Sequence, residues 1–196
     1  MKTEMKLNDI QMTGWAFIWG GIGLALIIVI AVALGASAWY PITSILTLMC
    51  LPLLAIGMLG LRSRFGDKAG GLGKNMLLVG AILGPITGIT GFLLQNVSEL
   101  WTLIFIGPII LFVGLALFGL VGMFKKPLPR WNILPIIAGL WFPLKFIVIM
   151  IVGFTIGNSS LSIADAVFGI LQIAALVALG LMLKSDVPDE AIAAVY

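Results

Sequence analysis

Histidine is absent from this chain of 196 residues, and cysteine occurs once, as Cys50. The first absence removes the commonest zinc ligand, the commonest haem ligand and the commonest general base together. The second excludes an intramolecular disulfide framework, and because Cys50 lies inside an apolar run it is expected to be a small packed side chain. Charge is scarce as well: 10% of residues are Asp, Glu, Lys or Arg, against roughly a quarter in a soluble domain. No metal and no cofactor is expected. The formal net charge of +3 does not point to nucleic acid, because the basic residues cluster beside apolar runs, where they act as an orientation signal.

What is abundant is apolar surface. Hydrophobic residues make up 61% of the chain and the mean hydropathy is +1.21, so the main solvent of the folded protein is lipid. Lipid offers the backbone no hydrogen-bond partner, which leaves helices or a closed barrel. The apolar runs are long and do not alternate every second residue, so an all-α, polytopic helical bundle forming one integral membrane domain over 1–196 is expected. Runs near 15–36, 42–61, 76–94, 100–124, 133–154 and 163–183 predict about six transmembrane helices. The first run, of about 22 residues, is followed by Ala36-Ser37-Ala38, a sequence that fits a signal-peptide cleavage site. It is longer than the usual cleavable core of about 7 to 15 residues and is read as a retained helix.

The connections alternate in charge. Arg62, Arg64, Lys68 and Lys74 fall in one, and Lys125, Lys126 and Arg130 in another, while the intervening connections around Ser37, Asn96 and Asn158 hold no basic residue. Positive residues stay in the cytoplasm, so both termini are predicted there, in a multi-pass cell-membrane protein of the bacterial inner-membrane kind. Trp15, Trp39, Tyr40, Trp101 and Trp131 fall at run ends, as interfacial aromatics do. The tail after Lys184, with Asp186, Asp189 and Glu190, reads as a solvated end. Similar wording recurs at Gly60-Leu61-Arg62, Gly122 to Lys125 and Gly180 to Lys184, a pattern that a limited apolar alphabet also produces.

Several residues within the runs have chemical consequences. Gly80, Gly84 and Gly88 form a helix-packing stripe along one face, which lets a second backbone approach closely and predicts a central helix packed within the chain. Pro52, Pro85, Pro108 and Pro143 lie near mid-membrane, where each deletes a backbone donor and predicts a kink or a broken helix. Lys145 is the sharpest feature, because a lysine at the centre of a span costs roughly 2.5 to 3.5 kcal/mol. Gln172 and Thr87 lie in other runs, and Asp165 lies towards the outer face. Lys145, Gln172, Thr87 and Asp165 are therefore the candidate substrate-binding residues. The competing reading has Lys145 reach the interface and pair with Asp165 through water.

The loop from Gly66 to Asn75 lacks both the spacing of a phosphate loop and a preceding strand, and reads as a flexible basic connection lying against anionic headgroups. No catalytic constellation is found, and the chain is not expected to be an enzyme. Two classes remain. One is a non-catalytic accessory or assembly subunit, with a membrane-protein partner or a second copy of itself. The other is a small transporter or substrate-binding subunit taking a small-molecule ligand near Lys145. In helix number and size the chain is similar to the substrate-capture subunits of energy-coupling vitamin transporters, a likeness of architecture.

Overall fold

In a computed structural model of the chain, the backbone is described over 7–94, 102–129, 131–152 and 161–185. Side chains are described throughout these stretches except at 7–9, 31–32, 34–44, 145–146, 148–152 and 161–168. Asn96, Glu99, Trp101, Arg130, Asn158 and the tail from Asp186 lie outside the described residues, as do the side chains of Trp39, Tyr40, Lys145 and Asp165. The secondary structure of the described residues is all helical, with no strand among them. The helices are α1 (Leu7–Leu93), α2 (Leu103–Lys125), α3 (Leu134–Val152) and α4 (Leu161–Lys184).

Three helical stretches, Ile10–Ile30, Ile45–Leu93 and Leu103–Lys125, are long and apolar enough to cross a membrane. Leu134–Leu144 and Gly169–Lys184 are shorter apolar helices.

Helical residues run through α1 for 87 positions, which in a straight helix would extend about 130 Å. The contacts show that it doubles back twice. Gly23 faces Cys50, Gly20 faces Leu54, Gly57 faces Phe17 and Gly60 faces Thr13, so the stretch beginning at Ile10 lies antiparallel to the stretch beginning at Ile45. Gly80 then faces Met58 and Gly88 faces Leu51, placing a second reversal near Gly70. Gly70 has φ +80°, a left-handed conformation that glycine adopts without steric cost and that interrupts the right-handed path. We call the stretches before, between and after these reversals the first, second and third legs of α1.

The remaining helices continue the antiparallel order. The third leg packs on α2, α2 on α3, α3 on α4, and α4 returns to α1. A ring of neighbours results, closed where Gly14 of the first leg meets Gly180 of α4. The core inside it is apolar and dense, with Phe17, Leu54, Met58, Leu111, Phe112 and Leu176 among the fully buried side chains.

Between the third leg and α2, between α2 and α3, and between α4 and the first leg, glycines meet backbone. A Cβ on Gly107 would lie 2.6 Å from Gly84 O and from Gly88 Cα. One on Gly114 would lie 2.8 Å from Met76 O, and one on Gly119 would lie 2.7 Å from Ile136 N. The stripe expected at Gly80, Gly84 and Gly88 is therefore consumed inside the chain, against α2. Close approach is the means by which helices associate in lipid, where burying apolar area against another helix gains little.

Two expectations are corrected. The connection at 66–75 is not a flexible loop: the helices extend through it on both sides of Gly70, because Phe65 and Ala69 carry the buried stripe beyond Leu61 and Gly73 packs on Phe118 and Val121. Pro52, Pro85, Pro108 and Pro143 do not break their helices, which continue through each ring as membrane helices do when neighbours cover the freed groups.

The turn from α2 to α3 is fixed locally. Lys126 ends α2 in the left-handed region at φ 46°, donating its backbone N–H to Gly122 O. Asn132 then clamps Leu128, accepting from its N–H at 2.9 Å and donating to its carbonyl at 3.2 Å. Leu128 itself is buried in the core.

The glycine seam makes a quantitative prediction. Gly107→Ala forces Cβ into backbone on the facing leg, which cannot rotate away, and should cost about 1 to 3 kcal/mol in reversible unfolding in bicelles. Gly71→Ala, where a Cβ meets nothing within 4 Å, should be neutral or stabilising by up to about 1 kcal/mol.

Candidate functional site

Basic side chains gather at one end of the bundle. Lys125 lies against the Gly70 reversal, and the Lys74 and Arg62 stems lie over Gly66. Lys74 pairs with Asp67, and Lys184 rests on the Trp15 ring with Nζ 3.3 Å from its centroid. The first turns of the first leg and the last turn of α4 share this end, since Thr13 meets Gly60 and Gly14 meets Gly180. The Arg62 Nε is buried without a hydrogen-bond partner among the described residues.

Arg64 has a structural task. Its Nη1 donates towards the carbonyls of Met182, Leu183 and Ser185 at 3.2, 3.0 and 3.1 Å. These belong to the last turn of α4 and the residue after it, where carbonyls lack partners within the helix. A guanidinium there satisfies several acceptors and places positive charge at the negative end of the helix dipole. It also ties the second leg to α4 across the basic end.

The polar groups inside the bundle are few. Gln172 is buried and donates from Nε2 to the carbonyl of Ala138 at 2.9 Å, joining α4 to α3. Thr13 is buried and donates to Ile10 O one turn earlier, so its hydroxyl is satisfied within its own helix. Thr87 is half-buried on the third leg, beside Gly88, which faces Leu51 and Pro108. Gln172 and Thr87 thus belong to different interfaces, and the described contacts do not bring them together. Of the other two candidate residues only the backbone is described, Lys145 within α3 and Asp165 within α4.

Two spaces border these residues. A cleft among the second leg, the third leg and α2, lined by Thr47, Leu51, Gly88 and Ile104, holds about 10 Å³, room for about one water. A larger, open groove of about 530 Å³ runs along the outside of the first and second legs, bordered by Met12, Trp15, Trp19, Leu53 and Ile56. Among the described residues no group of His, Cys, Asp and Glu could hold a metal ion.

Comparison of the chain with protein-family models, with curated proteins and with solved structures finds no match. The function has to be argued from the chain's own residues.

Sequence reasoning missed Arg64, whose basic charge was assigned to orientation alone. No local signal identifies it, because its carbonyl partners lie 118, 119 and 121 residues away. Its role is testable: Arg64→Leu leaves the end of α4 uncapped and should cost about 1 to 3 kcal/mol. Arg64→Lys should recover only part of this, since a single ammonium replaces a planar fork. Gln172→Leu should cost about 1 kcal/mol, the scale of one hydrogen bond between membrane helices. Unfolding of the three variants under one set of conditions ranks them.

Proposed function

We propose that the chain is a non-catalytic accessory or assembly subunit of a membrane complex, crossing the bilayer six times with both termini in the cytoplasm. The carrying observation is how the interior polar groups are used. The buried Gln172 amide and Thr13 hydroxyl are engaged in bonds within the chain, and the glycine stripe is filled by α2. What the described bundle presents outward is a basic end and an apolar flank.

The topology has its own support. The basic side chains described at the helix ends collect at the end where the first leg starts and α4 finishes. The positive-inside rule then puts that end in the cytoplasm. On this reading the three legs of α1 together with α2, α3 and α4 are the six crossings, and the bacterial inner membrane suits short connections.

A second reading, a small transporter with a mid-membrane site, has one specific observation in its favour. Leu140, Leu144 and Ile147 mark the exposed flank of α3. Position 145 falls on the opposite flank, seven residues and so about two turns beyond Ala138. A lysine at that helix position is the kind of group that a small anionic ligand or a transferred proton would need in mid-membrane.

Gentle extraction from the native membrane into lipid discs, followed by native mass spectrometry, decides between the two. The subunit reading predicts a stoichiometric protein partner retained by the wild type and by Lys145→Met alike. A lone monomer carrying a small molecule that Lys145→Met loses would overturn it in favour of transport.

A further inference from the structure

The outer groove on the first and second legs has a polarity along its length. At the basic end it begins at Met12 and Trp15, and it runs one turn deeper to Trp19, with Leu53 and Ile56 as its other wall. The three first-leg side chains are all uncovered, Met12 at 70%, Trp15 at 47% and Trp19 at 57% of full exposure. Met12 and Trp19 are about 10 Å apart along the helix axis, the depth from the headgroup boundary into the upper acyl region. Such a wall is apolar inside and aromatic at its mouth, as interfacial surfaces are.

A fixed cation stands at that mouth. The Lys184 ammonium lies over the Trp15 ring at 3.3 Å, a cation–π contact that occupies one side of the ammonium and leaves donors for another acceptor. Lys184 ends α4, where a lysine would ordinarily spend its charge on its own helix's carbonyls. Arg64 has taken over that task, and among the described residues no carboxylate pairs with Lys184, which leaves its charge for an anion.

We propose that this groove binds an anionic membrane phospholipid, one acyl chain lying between Trp19 and Ile56 and the phosphate paired with the Lys184 ammonium. The charge argues against a second copy of the chain as occupant. A two-fold contact through this surface would carry the Lys184 of each copy to the same interface, with no carboxylate among the groove residues to compensate. The inference stands independently of the subunit reading.

The test uses the full chain reconstituted in vesicles of equimolar phosphatidylglycerol and phosphatidylcholine, extracted gently, with retained lipid counted by native mass spectrometry. The wild type should hold one phosphatidylglycerol in preference to phosphatidylcholine. Lys184→Gln should lower that preference about fivefold, the effect of one lysine at an anionic surface. Ile56→Trp, at an exposed groove position, should displace the retained lipid while leaving the melting temperature unchanged. Lys126→Gln, beyond the end of α2, should change neither. Equal retention of the two lipids by the wild type, or a preference indifferent to Lys184→Gln, overturns the proposal. So does a second copy or another protein bound in place of lipid and lost on Ile56→Trp.

Discussion

Helices in lipid gain little by hiding apolar side chains from a solvent that is itself apolar, so they associate where their backbones can come close. In this protein that condition is met at glycines. Gly84, Gly88, Gly107 and Gly114 bring the third leg and α2 together, Gly119 and Gly139 do the same for α2 and α3, and Gly14 and Gly180 close α4 onto the first leg. At most of these positions the nearest atoms to an added Cβ are backbone atoms. The order of helices around the bundle follows from which glycines face which, and the filled interior follows from how little room such contacts leave.

The ends of the bundle obey a different rule, because there the unsatisfied groups are helix carbonyls and the solvent is water and headgroup. Arg64 takes the carbonyls at the end of α4, and the Gly122 carbonyl of α2 is taken by the Lys126 N–H. Once the end of α4 is satisfied, the lysine beside it is free to stand on Trp15 at the edge of the outer groove. A capping arrangement at one residue thereby sets the electrostatics of a surface built by another pair of helices.

Much of this was legible in the chain. Long apolar runs announced helices in lipid, and the spacing of Gly80, Gly84 and Gly88 announced a close backbone contact within the chain. The partner of that stripe was not legible, since Gly107 and Gly114 look like any other glycines of an apolar run until α2 is set antiparallel to the third leg. The segment from Gly66 to Asn75 was misread for a physical reason: its glycines and charges resemble a loop, yet Phe65, Ala69 and Gly73 sustain a buried helical stripe on both sides of the Gly70 turn. The bond that Gln172 makes was not legible, because a sequence does not display backbone acceptors. Its partner is a carbonyl of another helix, and carbonyls look alike at every position.

The central claim is that glycine-to-backbone contact closes the ring of helices, and its last joint is the most exposed to test. Spin labels at the exposed positions 12 and 181, in a Cys50→Ser background, report the separation of the first leg and α4 in lipid vesicles. The account predicts backbones about 10 Å apart in the wild type, the spacing of packed helices, and a shift to longer, broader distances in Gly180→Val. A wild-type separation far beyond helix contact, or one that Gly180→Val leaves unchanged, would contradict it.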